Sequence, residues 1–150
     1  MLLIASSLAL TCSGSSCGSS YSRKVISNES IKLTPDWVEF LPEQPLGCEL
    51  DTHELVLELA TSFKLNTSMH PPTMLLEDNS PVNPEVQVLD DQGRVHPLHI
   101  TSFSLPKAAV YSCSALPDGT KIRSIQIRSD KPLQTSSVQW LCYNFKDVKR

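Results

Sequence analysis

The feature that most restricts the fold is a series of short, alternating apolar segments separated by turns. Residues 54–63 show it best, because Leu55, Leu57 and Leu59 alternate with polar or small side chains. Alternation with a period of two predicts a β-strand with one buried face, although Leu and Glu also form helices readily and leave a helix as the alternative here. Similar segments recur roughly every ten residues along the chain. The sequence therefore predicts an all-β fold, a β-sandwich or jelly roll of about seven or eight short antiparallel strands.

The stretches between these segments predict turns and loops. Residues 90–93 and 116–119 each end in a Gly that can adopt a positive φ, which is typical of hairpin turns. Residues 34–47 hold three Pro and predict an ordered connection with room for one helical turn at 36–40. Residues 69–85 are polar and rich in Pro, so they predict a long loop.

The end of the chain resembles one family of β-sandwiches. Residues 122–145 read IRSIQIRSDKPLQTSSVQWLCYNF. This stretch resembles the closing strand pair of galactose-binding-like (discoidin-type) jelly rolls, in which an I-x-I-x-S/G-D strand turns through a Pro corner into a strand that contains Trp. The resemblance implies a jelly-roll β-sandwich.

The start of the chain predicts export. Residues 1–11 are apolar or small and carry no charged side chain, and a Ser- and Gly-rich stretch follows Cys12. Ala9-Leu10-Thr11-Cys12 resembles the lipobox of bacterial lipoprotein signal peptides, which implies cleavage before Cys12 and lipidation of its sulfur. The predicted organisation is a signal peptide at 1–11, a flexible tether at 12–22 and a single β-sandwich domain at 23–150. Cleavage elsewhere, or a buried N-terminal strand or helix of a cytosolic protein, is the alternative.

The chain has five cysteines, Cys12, Cys17, Cys48, Cys113 and Cys142, and an odd number in an exported protein needs an explanation. Lipidation of Cys12 leaves four for disulfides. We expect Cys113 to pair with Cys142, because both lie near the ends of strands that run the same way in a simple meander. Cys17 then pairs with Cys48, and a Cys48–Cys142 bridge is the competing arrangement. The spacing of Cys and His predicts no metal centre.

Three residues are candidates for ligand binding. Trp37 lies in a Pro-bounded segment beside acidic residues, and an aromatic ring there could pack against the C–H face of a sugar. Packing of Trp37 and Phe40 onto the sandwich is the alternative. Trp140 shares a strand face with apolar neighbours, so we expect it in the core. Asp90 and Asp91, in a turn with Gly93, could bind Ca²⁺, but a solvated turn in which Asp caps the turn amides is the favoured interpretation. No other cofactor is predicted.

The net charge and the lack of catalytic motifs restrict the classes of function that the sequence supports. The net charge of −3 argues against nucleic acid as a partner, and no nucleophile elbow, P-loop or dinucleotide fingerprint indicates an enzyme. We therefore expect a non-catalytic lipoprotein of the bacterial cell envelope, anchored to a membrane, that binds carbohydrate or another envelope polymer. This function predicts an exposed aromatic ring beside carboxylates. A structural lipoprotein that binds another envelope protein predicts an exposed apolar patch or free sheet edge, and a hydrolase with an unrecognised site predicts a deep cleft.

Overall fold

The fold is all-β, as the alternation predicts. The computed structural model describes residues 21–47, 52–105, 107–112, 116–117 and 119–143, without the side chains of Tyr21 and residues 103–105. Within these residues the chain forms thirteen strands and no helix. The first seven strands are β1 (Tyr21–Ser27), β2 (Lys32–Leu33), β3 (Val38–Phe40), β4 (Leu46–Gly47), β5 (Thr52–Leu59), β6 (Phe63–Asn66) and β7 (Thr73–Leu76). The others are β8 (Pro81–Val82), β9 (Pro84–Asp90), β10 (Val95–Leu105), β11 (Ala108–Ser112), β12 (Lys121–Ser129) and β13 (Leu133–Tyr143).

Ten of the strands form two antiparallel layers joined by a shared strand. The hydrogen-bonded order is β1-β13-β5-β11-β10-β9-β12-β3, with β2 beside β13 and β4 beside β12. Strand β10 pairs with β9 through Val95–Leu98 and with β11 from His99 onward. It therefore leaves one layer and enters the other at this point, which is how corners of β-sandwiches are commonly built.

The alternating leucines of β5 build the centre of the core. Leu55, Leu57 and Leu59 are at most 1% exposed, while the side chains between them are half-buried. Leu55 lies opposite Tyr111 of β11 and Trp140 of β13, and both of these rings are buried in the same cluster. The strand interpretation of this segment is confirmed, as is the core position of Trp140.

Seven strands have five or more residues, which agrees with the predicted number. Of the six shorter strands, β3, β4, β7 and β8 lie where the sequence indicated a connection or a loop. The predicted helical turn at 36–40 is wrong, because residues 38–40 form β3 against β12. The predicted loop at 69–85 contains β7 and β8, which join β6 in a small sheet whose buried Met74 and Val82 belong to the main core. The predicted tether at 12–22 overlaps the first strand, which begins at Tyr21.

The hairpin between β9 and β10 has the predicted turn. Gly93 has a φ of 77°, a left-handed conformation that glycine adopts without steric cost. Its N–H donates to the carbonyl oxygen of Asp90 at 3.0 Å. The predicted turn at 116–119 includes residue 118, which lies outside the described residues, and Gly119 has a φ of 78°.

Candidate binding cleft

A cleft opens at the corner where β10 changes layers. Beyond Leu98, strands β9 and β10 separate, because His99 pairs with Ser112 of β11 instead. The gap is about 270 Å³ in volume. We name it the corner cleft, and its principal lining residues are Trp37, Pro72, Glu85, Gln87, His99 and Tyr111.

Trp37 is held at the corner cleft by a charged pair. The guanidinium carbon of Arg128 lies 4.4 Å from the centroid of the Trp37 ring. Arg128 Nη2 and Nε donate to Glu85 Oε2 at 2.6 and 3.0 Å. Both charged side chains are partly exposed, so this ion pair adds little to stability. It does fix the guanidinium over one face of the indole, where cation–π attraction operates.

Tyr111 lines the corner cleft and carries a buried hydroxyl group. The side chain is 2% exposed, and its hydroxyl has no hydrogen-bond partner among the described residues. Burial raises the pKa of Tyr111 above its ordinary value of 10.0, so the group stays a neutral hydroxyl at physiological pH. A buried hydroxyl without a partner costs free energy in the unliganded fold. A ligand in the cleft would recover that cost only if the neighbouring side chains moved enough for it to hydrogen-bond to this buried oxygen.

An amide pair borders the same cleft. Gln87 Nε2 donates to Gln126 Oε1 at 2.6 Å, which fixes the Gln87 amide on β9. His99 is exposed on β10 and adds a ring nitrogen. The corner cleft thus combines an aromatic ring, a salt-bridged carboxylate, an amide and a buried hydroxyl. This set can hold a small polar ligand that also has an apolar face.

Asp90 and Asp91 are not part of the cleft. The Asp90 carboxylate is fully buried and accepts hydrogen bonds from the Gln92 and Arg94 backbone N–H groups, both at 2.9 Å. Its other oxygen, Oδ2, accepts from Arg94 Nε at 2.8 Å and lies 3.0 Å from His96 Nε2. Asp90 therefore caps the turn. Asp91 is exposed, and its N–H donates to the Lys121 carbonyl oxygen at 2.9 Å.

The partners of Asp90 keep its carboxylate ionised. The hydrogen bond with His96 is the largest influence, and those from Arg94 and Gln92 add to it. Together they outweigh burial and hold the pKa of Asp90 well below its ordinary value of 3.8. Among the described residues, no group of three or more His, Cys, Asp or Glu side chains lies close enough together to hold a metal ion.

Sequence reasoning identified part of this site. Trp37 was predicted as a ligand-binding ring and does line the cleft. Glu85, Gln87 and His99 were missed. The only signal for Glu85 and Gln87 was their position on the polar face of alternating strand β9, and many residues on such faces only contact solvent.

The predicted cysteine chemistry lies mostly outside the described residues. Cys142 is buried on β13 and is disulfide-bonded. Cys12, Cys17, Cys48 and Cys113 lie outside the described residues, so lipidation of Cys12 and the choice of Cys113 as the partner of Cys142 stay predictions.

Comparison with known proteins does not assign the chain to a family. No protein-family model matches the chain, and searches of curated proteins and of solved structures find no match either. Within the described part of the chain, no helix has the length and apolar character needed to cross a membrane. Assignment of a function therefore depends on the chemistry of the corner cleft.

Proposed function

We propose that the chain is a non-catalytic binding module of the cell envelope that holds one sugar ring of a carbohydrate or envelope polymer in the corner cleft. The observation that carries this proposal is the Trp37 ring beside Glu85, at a cleft that Tyr111 also lines. A sugar ring has an apolar C–H face, which packs on an aromatic plane, and hydroxyl groups, which need fixed polar partners. The corner cleft offers both.

The size of the cleft also favours this ligand. Pockets for drug-sized molecules span about 300–1,000 Å³. A cleft of about 270 Å³ suits one ring, at the end or along the edge of a longer polymer. Arg128 covers one face of Trp37, so the sugar would pack on the other face or on the ring edge.

The non-catalytic part of the proposal comes from the sequence, in which no nucleophile elbow, P-loop or dinucleotide fingerprint indicates an enzyme. Glu85 Oε2 accepts two hydrogen bonds from Arg128, and the Arg128 guanidinium lies over the Trp37 ring. We therefore assign Glu85 and Arg128 to ligand positioning.

Ligand binding is tested with a glycan array and two cleft variants. We expect Trp37→Ala to weaken binding of the best array ligand at least tenfold, because it removes the stacking surface. Tyr111→Phe should also weaken binding, while it stabilises the unliganded fold by about 1 kcal/mol, because it removes an unpaired buried hydroxyl. Leu41→Ser, at an exposed side chain that does not line the cleft, is the control and should bind like the native chain.

Opposite changes in affinity and stability for Tyr111→Phe would be hard to explain by a purely structural role. The proposal fails if no glycan binds, or if a bound glycan is held equally well by the native chain and by Trp37→Ala.

We further propose that this module is exported and attached to a bacterial membrane by lipid on Cys12. The apolar residues 1–11 and the Ser- and Gly-rich stretch after Cys12 support this proposal. In cells, Cys12→Ser should move the protein from the membrane fraction to the soluble fraction, because acyl chains provide the attachment. If the variant still fractionates with membranes, the anchor is not at Cys12.

A further inference from the structure

Within the described residues, the sandwich has an open side whose lining residues differ from those of the corner cleft. Strands β1 and β3 are the two ends of the hydrogen-bonded order, and no described strand pairs with the outer edge of either. Two depressions of about 450 Å³ each lie beside these strands, and both are lined by Ile26 and Leu41. We name the combined depression the edge groove.

The edge groove exposes apolar side chains that the fold does not use. Val25 on β1 is 52% exposed, and Leu41, directly after β3, is 68% exposed. Both line the groove. The edge of an unpaired strand presents free main-chain N–H and C=O groups, and an added strand can form hydrogen bonds with them. An added strand would cover these two side chains as it pairs.

The groove is also acidic. Glu29, Glu39 and Glu43 line it, and Lys24 is the single cation among the described residues that line it. None of the four forms a salt bridge with another described residue. An incoming segment that carries Lys or Arg would therefore meet three unpaired carboxylates. A second copy of this chain, with its net charge of −3 and an identical acidic groove, would be repelled.

We infer that the edge groove binds an extended, basic segment of a partner protein by β-strand addition. The open edge of β1 or β3 supplies main-chain hydrogen bonds. Val25 and Leu41 supply apolar contact to alternate side chains of the segment, and the glutamates select Lys or Arg at the remaining positions. This site is separate from the corner cleft and does not depend on the function proposed there.

The test uses three fluorescently labelled ten-residue peptides with the full chain. One alternates Lys and Val, one alternates Glu and Val, and one is the basic peptide with Pro at two central positions. We expect anisotropy to show saturable binding of the basic peptide only. The acidic peptide is repelled, and Pro removes main-chain donors. Binding should weaken as salt is raised, because the contacts between exposed charges are screened.

Variants of the edge groove test whether the basic peptide binds there. Leu41→Ser and Glu39→Lys should each weaken binding of the basic peptide about tenfold, from lost apolar contact and from charge reversal. Val95→Ser is the matched control, because Val95 is 51% exposed and does not line the groove. Tyr111→Phe should also leave peptide binding unchanged, which separates this result from that of the corner cleft.

Three results would overturn the inference. The first is no binding of the basic peptide, and the second is equal binding of the basic and acidic peptides. The third is a dimer in sedimentation experiments that Leu41→Ser dissociates and Val95→Ser does not, since a second copy would then occupy the groove.

Discussion

Replacing Asp90 with Asn should lower the midpoint of thermal unfolding by about 10 °C at neutral pH. The buried carboxylate of Asp90 has donors on both oxygens, the Gln92 and Arg94 backbone amides on one and the side chains of Arg94 and His96 on the other. An amide group must turn its NH₂ toward one of these pairs. A donor then faces donors in a buried site, which is strongly unfavourable.

The same carboxylate predicts how stability depends on pH. The pKa of Asp90 is lower in the folded protein than its ordinary value of 3.8. The folded state therefore favours the ionised form, and this stabilisation is fully present above that value. It is lost as the pH falls below about 3.8 toward the lower pKa of the folded state. Thermal unfolding at a series of pH values measures it.

Asp91→Asn is the control for both results. Asp91 is the adjacent residue, its side chain is exposed, and its neutralisation should change the unfolding midpoint by little. In Asp90→Asn, the part of the acid-induced loss that comes from residue 90 should disappear. If Asp90→Asn and Asp91→Asn unfold alike at neutral pH, Asp90 does not hold the turn.

Replacing Leu57 with Ala should destabilise the fold by about 3 kcal/mol. Leu57 is 0% exposed at the centre of β5, and its register neighbours on the two flanking strands are Ala109 and Val138, which are also buried. Truncation leaves a cavity between both layers that the neighbouring strands cannot close without losing their hydrogen bonds. The midpoint of urea unfolding, at an unchanged slope, measures the loss.

The adjacent residue supplies the matched comparison. Val56 lies on the opposite, half-buried face of β5, so Val56→Ala should cost about 1 kcal/mol or less. Equal losses at residues 56 and 57 would contradict the alternation on which the fold assignment depends.

The main strands were predictable because one physical signal, the two-residue period, marks them. In β5 the leucines alternate without interruption, and in the β9–β10 hairpin Gly93 provides the left-handed turn residue. The short strands were not predictable in this way. Strands of two or three residues, such as β3 and β4, contain too few residues to show a period, and they form because β12 offers an open edge beside them.

The corner cleft was predictable only in part. Trp37 was a candidate because it is an aromatic ring in a Pro-bounded connection beside acidic residues. Its partners Glu85 and Arg128 are 43 residues apart along the chain, and only the pairing of β9 with β12 brings them together. Asp90 was interpreted more fully from the sequence. A carboxylate in a turn can bind a cation or cap the turn amides; capping was the favoured interpretation, and the structure shows the amide contacts.

The central claim is that the corner cleft binds a sugar ring on Trp37. The chain has two tryptophans, so a ¹⁵N–¹H correlation spectrum should contain two indole signals, and Trp37→Ala identifies one by its loss. We predict that titration with the best array glycan shifts the Trp37 signal in a saturable way and leaves that of buried Trp140 unchanged. A glycan that binds without moving the Trp37 signal, or that shifts only residues of β1 and β3, would contradict the claim.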